Sequence, residues 1–376
     1  MNSIEFHRQL KGKIEVISRA KIESREDLSL AYTPGVAEAC LAIVKDKEEL
    51  YALTRKNNLV AVITDGSAVL GLGNIGPEAS LPVMEGKCVL FKEFAGVDAF
   101  PIALATQDTE EIIKTIVNIA PIFGGINLED IAAPRCFEIE RRLQELLDIP
   151  IFHDDQHGTA IVVLAALHNA LKVVGKNINS VRIVINGAGA AGNSIAELLL
   201  AAGAADLLVL DSKGIIVNGR ADLEGEKLEL AKRTNHSQVT GDLKKAMEGA
   251  DVFIGVSKAH LVNHDMIKSM KQGAVVFAMA NPTPEVMPDI AKAAGARVVA
   301  TGRSDFANQV NNVLVFPGIF RGLLDSRKKK VTTQMQLAVA EALAAYVTQP
   351  TEDFILPSPL DKKVAQVVAA AVQKSA

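Results

Sequence analysis

An α/β protein of two domains, the second built on a doubly wound parallel sheet, is what three features of the sequence predict. The chain has 376 residues, more than one core usually fills, so two cores are expected. Its composition is 49% hydrophobic but only 4% aromatic, with no Trp. A core of Ala, Val, Ile and Leu suits buried parallel strands and closely packed helices. From residue 59 onward, short apolar runs alternate with helical stretches, the order that βα units produce. The junction falls at 150–160, where a strand over 149–152 runs into Asp154 and Asp155 before Gly158 and Thr159 open a long helix. Residues 1–155 are therefore expected to form an N-terminal α/β domain, and 156–376 the doubly wound sheet with closing helices. Paired acids at a strand tip between two halves stand where open α/β sheets hold ligands.

Bulk properties exclude several classes of partner. A formal charge of −4 and a pI near 6.0 argue against a nucleic-acid or anionic-membrane surface. The basic run at 327–330 reads as a solvated face. Cys40, Cys88 and Cys136 show no paired spacing, so a reducing, cytoplasmic compartment is expected. Glu5, Arg8, Lys11 and Lys13 leave no room for a signal-peptide apolar region, and no apolar run approaches the ~18 residues of a spanning helix.

In the N-terminal half, 13–18 alternates charged and apolar residues and reads as a short strand. Tyr32 stands just outside a helix in which Thr33 is the expected N-cap and Pro34 the first helical residue. Taken alone, Tyr32 is more simply a packing residue. A strand over 59–63 is followed by Gly71-Leu72-Gly73-Asn74-Ile75-Gly76, too far from the strand for a dinucleotide fingerprint; it reads as a loop of amides near a bound anion. Leu81, Met84, Cys88, Phe91 and Ala95 form a helical apolar stripe that Lys87 flanks. Such a lysine usually snorkels to water. Gly86, costing about 1 kcal/mol inside a helix, implies a close neighbour. A strand over 99–105 precedes a helix at 110–119 opened by Asp108 or Thr109. A strand at 125–128 leads to Glu129 and Asp130, and Pro134 starts a charged helix. Adjacent acids on regular structure face apart, so Glu129 and Asp130 converge only where the strand ends.

In the second half, 159–171 is apolar nearly all round, a buried helix. A strand at 181–186 runs directly into Gly187-Ala188-Gly189-Ala190-Ala191-Gly192, then a helix to about 202. A second strand follows, ending at Asp211, 19 residues beyond Gly192. Strand, glycines, helix, strand and terminal acid stand at the spacings of a Rossmann dinucleotide site. Glycines permit a tight turn against the pyrophosphate at a helix N-terminus, and Asp211 takes a ribose hydroxyl. Strands at 252–256, 274–278 and 297–300 continue the sheet, with Asn281 beyond one end. Asn311 and Asn312 precede 313–316, and two helices, about 331–347 and from 361, close the chain.

Together these segments resemble the malic enzymes of short prokaryotic type. The matching motifs are Tyr32-Thr33-Pro34-Gly35, Glu85-Gly86-Lys87, Asn127-Leu128-Glu129-Asp130, Phe152-His153-Asp154-Asp155, the glycine run at 187–192, Asp211-Ser212-Lys213-Gly214, Asn281-Pro282 and Asn311-Asn312. They cover nearly the whole chain in family order. The resemblance implies oxidative decarboxylation of (S)-malate to pyruvate and CO₂ with NAD or NADP and Mg²⁺ or Mn²⁺, in a homodimer. It implies Lys87 as general base, Tyr32 as general acid and Asp154 as partner of Lys87. Glu129, Asp130 and Asp155 become metal ligands, and Asn281, Asn312 and, less directly, Asn311 contact malate or the nicotinamide.

Those residue types suit the chemistry. Three carboxylates without cysteine favour a hard cation with oxygen ligands. An amine near pKa 10.4 must fall to about 7–8 to serve as a base at neutrality, and Asp154 opposes that, so burial and the cation must prevail. One departure concerns the arginine that longer relatives carry before the first glycine loop. Here that stretch is Asp65-Gly66-Ser67-Ala68-Val69. The expectation is that amides of the 71–76 loop, Gly73 included, hold the second malate carboxylate. Asp211 favours NAD, although Lys213 and Arg220 stand ready to neutralise a 2′-phosphate. Malolactic conversion with bound NAD, a silent nucleotide-binding sensor and a metal-free amino-acid dehydrogenase are the competing readings.

Overall fold

The structure, a computed structural model, describes residues 1–69 and 71–375. Two parallel sheets organise it. The first has four strands in the order β2-β1-β3-β4: β1 (Leu59–Thr64), β2 (Asp98–Ala103), β3 (Gly125–Leu128) and β4 (Ile151–His153). Its residues are β-branched and apolar where they face helices, and β1 is buried from Val60 to Thr64. Parallel register sets Val60 against both Ala99 and Gly125, and Leu128 against His153. The second of these pairings brings the tips of β3 and β4 level.

The second sheet has the order β10-β9-β8-β5-β6-β7. Its strands are β5 (Arg182–Asn186), β6 (Asp206–Asp211), β7 (Gly214–Ile215), β8 (Val252–Gly255), β9 (Ala274–Ala278) and β10 (Ala296–Thr301). All pairs are parallel except the β6–β7 hairpin. The order reverses at β5, whose last residue Asn186 lies opposite both Leu210 and Gly255. A crevice opens at such a switch point.

The apolar Thr159–Val174 helix joins the two layers. From Ala160 to Leu167 every residue is buried, as its unbroken apolar sequence requires. It packs on the Ala190–Ala201 and Thr333–Tyr346 helices. One apolar cluster contains Val60 and Val62 of β1 together with Ile183 and Ile185 of β5, so the two sheets share a core. Phe91 meets Phe316 at 4.8 Å and Phe320 at 5.3 Å between ring centroids, and Phe152 meets Phe320 at 6.0 Å.

Three local expectations are corrected. Residues 13–18 form no strand; instead the Lys13 amide donates to Glu85 of the Pro77–Ala95 helix at 3.0 Å and Lys13 Nζ to the Pro82 carbonyl at 2.5 Å. That lysine is the close neighbour of Gly86. The helix after Tyr32 begins at Val36 with Gly35 before it, because Pro34 and Gly35 are spent on a turn in which the Val36 amide donates to the Tyr32 carbonyl. A further helix, Phe316–Ser326, precedes the two closing ones.

Candidate active site

Four acids meet where the β3 and β4 tips end. Glu129 and Asp130 follow β3, and Asp154 and Asp155 follow β4. Regular structure stops at both places. Asp130 has φ +53°, a left-handed conformation that Asp tolerates better than most residues. Asp154–Gly158 is a single wide π turn, a distortion that re-aims side chains at functional sites. The outcome is a trio, Glu129, Asp130 and Asp155, whose carboxylate oxygens lie within 4.8 Å of one another. Asp155 Oδ2 also accepts the Asp130 amide at 2.7 Å. Burial lifts the carboxyl pKa of Glu129 and Asp155 above the ordinary range, since buried like charges disfavour ionisation. A hard divalent cation relieves that cost and matches an all-oxygen donor set, so the residues fit Mg²⁺ or Mn²⁺.

Asp154 is turned to the other side. Its Oδ2 receives Lys87 Nζ at 2.6 Å, and Glu129 Oε1 receives the same nitrogen at 2.8 Å. Glu129 Oε2 accepts from Asn127 Nδ2 at 2.8 Å, a partner that the sequence reading did not single out. Lys87 comes from the Pro77–Ala95 helix, is 7% exposed, and rests its ammonium 4.2 Å from the centre of the Phe316 ring. The lysine does not snorkel. Burial alone would weaken its hold on a proton, but Asp154, Glu129 and Asp155 together outweigh burial and keep the ammonium above its usual range. Asp154 itself is fully buried and its carboxyl is pushed well up by burial. The two groups therefore form a tight proton-sharing pair.

Outer residues fix this geometry. A Cβ on Gly158 would stand 1.8 Å from Asp154 Oδ1, so only glycine permits the carboxylate its position. Buried Glu140 accepts the His153 amide at 3.0 Å and pairs with His157 Nε2 at 2.9 Å. His153 is wholly buried, and burial pushes its pKa down to about 4. Arg135 pairs with Asp65 at 2.8 Å and bonds Ser67, tying the β1 tip to the start of the Arg135–Leu146 helix.

Two adjoining cavities complete the site. The larger, about 1160 Å³, is lined by Gly187, Ala188, Gly189 and Asp211. The smaller, about 560 Å³, is lined by Asp130, Asp155, Gly71, Ala190, Ala191, Asn281, Asn311 and Asn312. Gly189, Val256 and Ser257 border both. A Cβ on Gly192 would meet the Gly187 carbonyl at 1.6 Å, which is the tight turn the glycine run predicts. Wholly buried Glu285 accepts the amides of Ala280 and Ser257 at 3.0 and 3.1 Å and so braces two cavity walls. The Asn311 side-chain oxygen accepts the Val313 amide at 2.9 Å, while Asn312 lies beside Gly158.

Two expected residues stand elsewhere. Gly73 is exposed and outside the cavity lining; Gly71 is the loop member that reaches it, packed so that a Cβ would strike the Asn281 carbonyl at 2.0 Å. Amides of Leu72, Ile75 and Gly76 already donate to the Val69 and Gly66 carbonyls, so the loop holds itself together rather than presenting those amides to an anion. Tyr32 is 68% exposed, at the end of the Arg25–Ala31 helix, and lines neither cavity.

Two protein families match successive parts of the chain. The malic enzyme N-terminal domain family matches residues 11–144, and the malic enzyme NAD binding domain family matches residues 156–376. The chain is 55% identical over 377 residues to the bifunctional malic/malolactic enzyme of Bacillus subtilis (strain 168), covering 100% of this chain and 92% of that protein. It is 53% identical over 373 residues to the NAD-dependent malic enzyme of Geobacillus stearothermophilus, covering 99% and 78%. The crystal structure of NAD-dependent malic enzyme from Thermotoga maritima superposes with a TM-score of 0.97 at 50% identity, covering 100% of both chains. With its two domains matched in order and its acids, lysine and glycine turn assembled around one cleft, this chain belongs to the malic enzyme family.

Proposed function

We propose that the chain catalyses the oxidative decarboxylation of (S)-malate to pyruvate and CO₂ with reduction of NAD or NADP. One observation carries this reading: a buried Lys87–Asp154 pair shares Glu129 with a three-carboxylate cluster, at the place where a dinucleotide cleft meets a small polar cavity. Lys87 removes the proton of the C2 hydroxyl, with Asp154 as the neighbouring acceptor for the proton that the amine must first shed. Glu129, Asp130 and Asp155 would hold Mg²⁺ or Mn²⁺. A cation bound there would supply positive charge next to the substrate oxygen and favour the neutral amine, and a nicotinamide held in the adjoining cleft would supply the hydride acceptor. Asn281 and Asn312 orient the substrate, and Tyr32 protonates C3 of the enolate left by the departing carboxylate. Rate measurements with malate, NAD or NADP, and Mn²⁺ test this directly. Reduced cofactor and pyruvate appearing together, and vanishing with a chelator, are the expected result; turnover that survives complete metal removal overturns it.

A homodimer in a reducing compartment accompanies the proposal. No residue of the Arg25–Ala31 and Val36–Lys45 helices is buried, and Val16, Ile17, Leu30, Tyr32, Leu41 and Val44 are each more than half exposed. An apolar stretch of this kind needs a cover. A second copy provides one and also brings a Tyr32 to the cleft that lacks it. All three cysteines are free, exposed Cys40 included, with Cys88 and Cys136 buried.

A second reading has one specific support, the bifunctional malic/malolactic name of the Bacillus subtilis relative. Lactate as product, with no net reduced cofactor, is its signature.

A further inference from the structure

The two cavities meet against a pair of loops that one buried acid holds together. Strands β8 and β9 end level, with Gly255 opposite Ala278, so their loops leave side by side. Val256 and Ser257, after β8, border both cavities, while Ala280 and Asn281, after β9, line the smaller one. Glu285, wholly buried, bridges the two loops. Its Oε1 accepts the Ser257 amide at 3.1 Å and its Oε2 the Ala280 amide at 3.0 Å. Two backbone bonds run alongside: the His260 amide donates to the Pro284 carbonyl at 3.3 Å, and the Val262 amide to the Glu285 carbonyl at 3.1 Å. A Cβ on Gly255 would stand 2.4 Å from the Glu285 carboxyl carbon, so the carboxyl takes the space that any larger residue at the strand tip would need. Among the described residues, amides and no cation hold that carboxyl, and burial lifts its pKa. A buried acid without a counter-charge is a costly way to fill a core. An apolar side chain would fill it at less cost, but could not fix two loop amides on one rigid group.

Resting on the malate-oxidation reading above, we propose that Glu285 is a positioning residue for hydride transfer. Gly189, Val256 and Ser257 border both cavities, so a dinucleotide that reaches from the larger into the smaller passes the loop that carries Ser257. Asn281, proposed above to orient the substrate, follows Ala280 directly. One carboxylate bonded to the amides of Ser257 and Ala280 therefore sets the gap between the wall for the nicotinamide end and the wall for the substrate. Reacting atoms must be held about 3–3.5 Å apart, and a misplacement of about 1 Å costs on the order of 100-fold in rate. Glu285 touches neither reactant; it acts through the two loops.

Glu285→Gln tests this, because it keeps the volume but turns an NH₂ donor toward one of the two amide donors and so breaks one bond. NADH and adenosine 5′-monophosphate are titrated calorimetrically into the full-length wild type and variant, with neither malate nor metal present. The NADH-to-monophosphate affinity ratio is expected to fall on the order of 10-fold, the effect of one hydrogen bond, while affinity for the monophosphate, which carries no nicotinamide, holds. In turnover with Mn²⁺, kcat is expected to fall on the order of 10–100-fold and to carry a full primary isotope effect with malate deuterated at C2, since the hydride step becomes limiting. A merely structural Glu285 would lower the melting temperature and leave the affinity ratio and kcat where they were; that outcome overturns the proposal. Equal weakening of NADH and the monophosphate, or a kcat loss without an isotope effect, overturns it too. Should Glu285→Gln not fold, Glu285→Asp decides: it keeps the charge but is one methylene too short to reach both amides. It must move the ratio and kcat in the same directions, and unchanged values sink the idea. A wild type that binds NADH but leaves malate unoxidised fails the malate-oxidation reading instead, a result distinct from any of these.

Discussion

Tyr32 and Lys87 stand in opposite surroundings, one 68% exposed on an uncovered arm and one 7% exposed inside the cleft, and that contrast gives the sharpest test of how the active centre is assembled. If the tyrosine serves the cleft of a partner copy, Tyr32→Phe and Lys87→Ala damage different sites of a symmetric dimer. In a hybrid of the two variants, one cleft keeps its lysine and receives an intact tyrosine, while the other has lost both. Random assortment makes about half of all dimers hybrid, each with one good cleft of two, so roughly a quarter of the wild-type rate returns on mixing. Each homodimer alone should fall on the order of 10²–10⁴-fold, the usual worth of a general acid or base. The assay is the appearance of reduced cofactor after the two proteins are dissociated, mixed and reassociated, with hybrids counted by a tag on one variant. Hybrids that form without activity above the sum of the two parents would refute exchange of Tyr32 between subunits and require it to act within its own chain.

Gly158→Ala should behave like loss of the base pair without loss of the cofactor site: a methyl 1.8 Å from Asp154 Oδ1 displaces that carboxylate, so kcat drops on the order of 100-fold or more while NAD binding, followed by calorimetry, holds. Glu129→Gln replaces a charged carboxylate of the cation site by a neutral amide and should weaken Mn²⁺ binding on the order of 10–100-fold, read from the paramagnetic resonance of free Mn²⁺; unchanged affinity would strike Glu129 from the ligands. In metal-free protein, the contribution of His153 to stability should fall as pH drops, against the opposite trend of the raised carboxyls of Glu129, Asp154 and Asp155. His153 is buried neutral with its pKa near 4, so below about pH 6.5 only the unfolded chain takes up its proton, and that contribution is lost progressively down to pH 4. The difference amounts to roughly 3 kcal/mol, and His153→Gln should remove that contribution from a denaturation-versus-pH curve.

Much of the site was legible because its chemistry lies at strand ends, and strand ends are visible as the place where an apolar run meets polar residues. Glu129, Asp130, Asp154, Asp155 and the 187–192 turn all follow such runs directly. What no single run displays is register. That Leu128 faces His153 depends on long-range pairing, and it alone decides that the two acidic pairs share one centre. The interior face of the Pro77–Ala95 helix was likewise underdetermined: Lys87 beside an apolar stripe fits either water or a buried acid, and the choice is made by Asp154 some 67 positions later. Gly71 and Gly73 are equivalent in sequence, but only the first meets Asn281. Tyr32 shows the other limit. Its motif is local, but its side chain stands 68% exposed and outside both cavities, and no local pattern says what would bring it to a cleft.

The ring of Phe316 beneath Lys87 links the two halves in a way that bears on engineering. Lys87, proposed above as the base, is seated by a residue belonging to the nucleotide half, reached through a packed cluster with Phe91 and Phe320. Grafting a foreign nucleotide half onto residues 1–155 would therefore change the floor under the amine, and with it the basicity of the proposed base. Altered cofactor use in this scaffold is better sought by editing the rim of the cleft than by exchanging modules, and a chimera that binds its new cofactor well but turns over at a shifted pH optimum is the expected mark of a disturbed seat.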